Sequence, residues 1–210
     1  GSEMCIRDSP VWIPENCTAC GNCYTECPDS AIPGLVSSVA DVFNTIVNRI
    51  ETRGTPTRFL RRAVRNVEKR LRASITGDGV AVTPLIGPAI EATIAEAPEA
   101  DRARMAEEFK LFAAEMGDFQ FATTKPYWAL KEKKAKGSGG LFSITINPIT
   151  CKACALCVDV CEDDALKMVT QTDESVARLR DDWDFWLGLP STPKEYSRIE
   201  SLDEKIGALE

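Results

Sequence analysis

Histidine is absent from all 210 residues. The chain therefore lacks the commonest catalytic base and the commonest nitrogen ligand for zinc, and no His-based triad can be drawn. Basic residues are in deficit as well: 25 Lys and Arg stand against 32 Asp and Glu, a net charge of −7. A nucleic-acid binder needs a basic footprint, so no nucleic-acid partner is expected. No stretch is apolar and long enough to span a bilayer. The N-terminus carries no apolar signal core. The chain is read as soluble and cytoplasmic, with no membrane partner. A glycine-rich phosphate-binding loop is missing too. What remains is 44 % apolar residues, enough for a core. The length suits one domain, or a small domain with a large insertion.

Cysteine is plentiful. Of the nine, eight fall into two runs with one spacing: Cys17, Cys20, Cys23, Cys27 and Cys151, Cys154, Cys157, Cys161. Each run reads C-x2-C-x2-C-x3-C. Thiols clustered at metal-ligand intervals belong to a reducing compartment rather than to a disulfide framework. Structural zinc uses pairs of C-x2-C, not runs of four. The spacing is the bacterial ferredoxin pattern, which holds iron–sulfur clusters in pairs. A [4Fe–4S] cube needs one thiolate per iron. Three can come from a tight loop, while the fourth cysteine of each run ligates the other cluster. The expected ligands are Cys17, Cys20, Cys23 and Cys161 for cluster one, and Cys151, Cys154, Cys157 and Cys27 for cluster two. Pro28 follows the first run as the motif usually has it; Glu162 replaces proline after the second.

The runs are an internal repeat at an offset of 134 residues (151 − 17), which also relates Pro14 to Pro148, Ala19 to Ala153 and Ala31 to Ala165. Apolar extended stretches precede the runs, at Val11–Ile13 and Leu141–Ile146, and the second alternates as a half-buried strand should. A short strand is expected over Ala165–Val169. The expected fold class is α+β: a bacterial-type two-[4Fe–4S] ferredoxin module, its halves at 10–33 and 141–172. A large, mainly α-helical insertion at 34–140 separates them, because so long a connection needs structure of its own. Helical spacing runs from Leu35 to Ile50, from about Thr57 to Ile75 and from Glu99 to Met116. Residues 136–140 (KGSGG) read as a flexible connector. Residues 173–210 read as a C-terminal helical segment, with a helix over Glu174–Leu187, or a linker to a missing domain.

Gly1–Ser9 (GSEMCIRDS) is one translation of a transposase-based sequencing-library adapter. It is read as an artefact, which leaves Cys5 without a role. On that basis the chain is expected to be a piece of a longer protein.

The stretch PVWIPENCTACGNCYTECPDSAI at 10–32 resembles the start of the ferredoxin domain of pyruvate:ferredoxin (flavodoxin) oxidoreductases, within the 2-oxoacid:acceptor oxidoreductase family. FSITINPITCKACALCVDVCEDDALKMV at 142–169 resembles that domain's second motif. The VWIP lead-in and the strand ending in INP separate it from generic ferredoxins. In that family, thiamine diphosphate and a further cluster, both held elsewhere in the parent, serve decarboxylation of a 2-oxoacid. Electrons then pass through the two clusters of this domain to ferredoxin or flavodoxin. The resemblance implies that this chain carries electrons and holds no catalytic centre of its own. Its partners would be those carriers and the remaining domains of a parent that forms homo-oligomers. The alternative is a stand-alone two-cluster ferredoxin, or an iron–sulfur subunit of another redox complex.

One asymmetry stands out. Arg58, Arg61, Arg62, Arg65, Lys69, Arg70 and Arg72 crowd the second helix against one acid, Glu68. The plain explanation is a solvated face or a contact within the parent. The sharper one is a patch that steers an acidic electron carrier.

Overall fold

Leu141 begins a strand, as the alternation requires, and that strand divides the molecule's two cores. The computed structural model describes residues 8–197. In chain order the elements are β1 (Asp8–Trp12), α1 (Asn22–Thr25), β2 (Gly34–Ser37), α2 (Val39–Thr52), α3 (Leu60–Ser74), β3 (Val80–Ala81), α4 (Thr83–Ala95) and α5 (Glu99–Met116). They continue as β4 (Ala122–Thr123), α6 (Leu130–Lys134), β5 (Leu141–Ile144), α7 (Leu156–Asp159), β6 (Leu166–Thr170), α8 (Asp173–Leu187) and α9 (Lys194–Ser197). Strands β1 and β6 form an antiparallel pair, and a second sheet has the order β2-β5-β4-β3.

The repeat in sequence is a two-fold repeat in space. Asp8 pairs with Thr170 in the first sheet. Moved by 134, these become Phe142 (8 + 134) and Val36 (170 − 134), which pair with each other in the second. The Ile13 N–H donates to the Ala165 carbonyl at 2.8 Å, and its equivalent, the Asn147 N–H, donates to the Ala31 carbonyl at 2.8 Å. Helices α1 and α7 are likewise related, Asn22 matching Leu156.

Side chains alternate across β2 and β5. Leu35 and Leu141 face a large core shared with α2 to α5 and with Phe185 and Leu189. Val36, Phe142 and Ile144 face a smaller core with Trp12, Ile32, Tyr127, Leu166 and Tyr196, against which Cys17, Cys23, Cys151 and Cys161 pack.

Several expectations are corrected. Leu35 and Val36 are helically spaced relative to Val39 and Val42, but they belong to β2. The helix starts at Val39, where the Ser38 side chain accepts from the Asp41 N–H. The helical pattern carries through because a strand buried on both faces is as apolar as a helix stripe. The segment 34–140, expected to be mainly helical, carries α2 to α6 and also supplies β2, β3 and β4 to the second sheet. Helix α4 was not expected, because Pro84, Gly87 and Pro88 break the sequence pattern; Pro84 lies in the first turn and Pro88 inside the helix. The connector at 136–140 is held rather than free. Glu132 accepts from the N–H groups of Gly137 and Gly139, and Gly140 donates to Tyr127. A Cβ on Gly140 would sit 2.7 Å from Val36 and Tyr196, so glycine here serves close packing, not flexibility.

Asp8 and Ser9, inside the stretch read as an artefact, form the start of β1; Gly1–Arg7, with Cys5, lie outside the described residues. At the other end α8 packs into the large core through Phe185, its ring 4.8 Å from Phe119, and α9 buries Tyr196. Residues 198–210 lie outside the described residues.

Glu108 is a charge that the sequence did not single out. It is 8 % exposed on α5, and its carboxylate accepts the N–H groups of Arg58, Phe59 and Leu60 at 2.9, 2.8 and 3.1 Å. These are orphan donors at the start of α3, whose N-cap, Phe59, offers no side-chain acceptor. Glu108→Ala is expected to cost about 2–4 kcal/mol in chemical denaturation, since it strands buried donors. A loss below about 1 kcal/mol would contradict this role.

Candidate metal centres

The cysteine loops turn through backbone conformations that L-residues rarely take. Ala19, Gly21 and Ser30 have φ of 61°, 83° and 49°; Ala153, Ala155 and Asp164, each 134 residues later, have 57°, 64° and 53°. A non-glycine residue held there costs on the order of 1–3 kcal/mol and persists only where its surroundings impose it. What it achieves is local. The N–H of Ala19 faces the Cys17 thiol, and the N–H of Ala153 faces Cys151. The fourth cysteine of each run is fixed in the same way: Cys27 Sγ accepts the Ala31 N–H and Cys161 Sγ accepts the Ala165 N–H, both at 3.2 Å.

The two-fold relation carries each fourth cysteine to the opposite run. One cavity is lined by Cys17, Cys20, Cys23 and Cys161, with Trp12, Tyr24, Phe142 and Leu166. A second is lined by Cys27, Cys151, Cys154 and Cys157, with Asp29, Lys152 and Ile32. Side chains brace the first: the Thr18 hydroxyl donates to Asp163 at 2.6 Å and Asn16 donates to the Asp164 carbonyl at 3.3 Å. Glu162, in place of proline, is exposed. Cys154 is the exposed thiol of the set and Cys157 the buried one.

Burial pushes the Cys23 thiol up to about 12, and Cys17 and Cys157 to about 11; neighbouring thiols add to burial in each case. Cys151 is raised by the same causes. A cysteine binds metal as the thiolate, so loading the site releases protons. Among the described residues no three Cys, Asp or Glu side chains converge as they would on a single metal ion. Four thiols around a cavity, with backbone N–H groups turned on sulfur, are the donor chemistry that an iron–sulfur cube takes.

Sequence reasoning missed Trp12 and Tyr24 as members of a site. The repeat held the signal: at an offset of 134 their counterparts are Ile146 and Val158, so both positions break the symmetry with a hydrogen-bond donor. The arginine run is largely committed within the fold. Arg61 pairs with Glu51 and Arg70 with Glu96; Arg72 bonds Glu68 and Glu132 and lies over Trp128. Arg58 lies over the neighbouring Phe59 ring. Arg62, Arg65 and Lys69 are exposed.

Residues 10–32 match the 4Fe-4S binding domain family, a domain whose chemistry is iron–sulfur electron transfer. Over 70 residues the chain is 39 % identical to a pyruvate dehydrogenase [NADP(+)] of Cryptosporidium parvum. That match covers 31 % of this chain and 4 % of the other protein. No solved structure matches the chain. No helix among the described residues is long and apolar enough to cross a membrane.

Proposed function

We propose that the chain is the electron-transfer domain of a 2-oxoacid oxidoreductase, with pyruvate as the 2-oxoacid, and that it holds two [4Fe–4S] clusters. Cys17, Cys20, Cys23 and Cys161 hold cluster one; Cys151, Cys154, Cys157 and Cys27 hold cluster two. The observation that carries this is the pair of four-thiol cavities, each made from three cysteines of one run and the fourth of the other. When bound, such clusters supply one-electron redox chemistry. The chain's residues hold them in a fixed relation: β1 pairs with β6 and β2 with β5, so neither half can drift from the other. The family match at 10–32 and the similarity to a pyruvate dehydrogenase support the assignment. Thiamine diphosphate and the first electron acceptor belong to other parts of the parent, and ferredoxin or flavodoxin receives the electrons.

A second acceptor is favoured by one observation. The similar protein is named for NADP(+), so delivery to that nucleotide through a further domain is the other reading. Anaerobic expression with metal analysis and low-temperature EPR tests the cluster assignment. About eight irons per chain are expected, four per cube. One or two zincs without iron would refute it. The native gene's flanking sequence separates a parent enzyme, which carries a thiamine-binding segment, from a stand-alone ferredoxin, which ends in a nearby stop codon.

A further inference from the structure

The two cavities are alike in backbone turn and in having four thiols each, and differ in what else faces those thiols. Trp12 is 8 % exposed, and its indole Nε1 has no hydrogen-bond partner among the described residues. The side chain lines the cavity of Cys17, Cys20, Cys23 and Cys161, and its N–H is turned toward the Cys17 thiol without completing a hydrogen bond to it. Tyr24 lines the same cavity. Its hydroxyl is buried and likewise unpartnered, and it lies within electrostatic reach of Tyr127 first, and then of Cys23, Cys20 and Cys17. A buried donor without an acceptor costs about 1–3 kcal/mol, so two beside one set of thiols call for an explanation.

Both rings are held in place. Trp12 is fixed by the β1–β6 ladder and packs edge-on against Phe142, centroids 6.2 Å apart. Tyr24 sits over Gly34, where a Cβ would come within 2.8 Å of Cε1. In the other half the equivalent residues are Ile146 and Val158, which donate nothing. The cavity of Cys27, Cys151, Cys154 and Cys157 is lined by no aromatic side chain.

We propose that Trp12 Nε1 and Tyr24 Oη are the donors that tune cluster one, hydrogen-bonding its sulfurs and raising its reduction potential relative to a cluster without them. The physical reason is that reduction adds negative charge to the cube, and N–H and O–H dipoles aimed at sulfur stabilise the more negative state. They work against local acids: Asp163 lines the same cavity, and Glu162 and Asp164 flank it in sequence. Trp12 and Tyr24 are thus positioning residues that act on potential rather than ligands. The proposal rests on the cluster assignment above.

The experiment is an EPR-monitored redox titration of the full chain, loaded anaerobically with iron and sulfide. It is run as the parent, Trp12→Phe, Tyr24→Phe and the double variant. Each is made also in a Cys27→Ala background, which leaves cluster one alone, and in a Cys161→Ala background, which leaves cluster two. With cluster one alone, each variant is expected to lower the reduced-to-oxidised ratio at fixed potential, the double by about tenfold, equal to about 59 mV for one electron. With cluster two alone, no shift is expected. Unchanged midpoints for cluster one in both single variants would overturn the proposal, as would equal shifts of both clusters. If Trp12→Phe fails to assemble, Tyr24→Phe decides, since it keeps the ring against Gly34 and removes only the hydroxyl. Absence of any iron–sulfur signal in the parent would overturn the cluster assignment itself, a result distinct from unshifted midpoints.

Discussion

Cys161→Ala, a change in the second run, is expected to remove the cluster held by the first. Iron should fall from about eight atoms per chain to about four, with one EPR signal lost and the other unchanged. Cys27→Ala should do the reverse. The expectation follows from placement: Cys161 lies in one cavity with Cys17, Cys20 and Cys23, although it is 138 or more positions from each of them in sequence (161 − 23 = 138). Neither substitution disturbs the strand pairs, since each cysteine sits outside them. Double variants sharpen the result. Cys17→Ala with Cys161→Ala removes two thiols from one cavity and should leave about four irons. Cys17→Ala with Cys27→Ala removes one from each and should leave almost none. If the same-run pair keeps four irons and the same-cavity pair loses all eight, each run closes on itself and the cross-linked arrangement is wrong.

Removal of the clusters is the second large effect. The smaller core is built partly from thiols: Cys157 belongs to it, and Cys17, Cys23, Cys151 and Cys161 pack on its side. The larger core, with Phe43, Phe109 and Phe112 in edge-to-face contact, contains no cysteine. Cluster binding is folding free energy for the residues that converge on it. Chelation under oxidising conditions is therefore expected to open the module and spare the helices. By hydrogen exchange, amides of the β1–β6 ladder should lose at least about a hundredfold of protection, near 2.8 kcal/mol. Amides of α2, α3 and α5 should change little, as a separate cooperative unit would. Equal loss throughout would show that the two cores do not separate energetically.

The sequence made the metal chemistry legible because ligand spacing is a local constraint. The cysteine runs, the 134-residue offset and the strand at Leu141 could all be read directly. The helix at Glu99–Met116 was also plain, since Met105, Phe109, Phe112 and Met116 recur on one side. Leu35 and Val36 were misread because burial on both faces of β2 erases the strand's alternation. Helix α4 was hidden because tertiary packing overrides the low propensity of Pro88. Glu108 and the glycines at 139 and 140 matter through partners distant in sequence, and nothing local marks such partners. Trp12 and Tyr24 were visible only as differences between the halves, which emerge once the repeat is known to be a two-fold in space.

The most direct measurement is iron anomalous diffraction from crystals of the anaerobically loaded chain. Two four-iron sites are expected, one bounded by Cys17, Cys20, Cys23 and Cys161, the other by Cys151, Cys154, Cys157 and Cys27. Sites enclosed by the four cysteines of a single run, or single metal ions in place of cubes, would contradict the account.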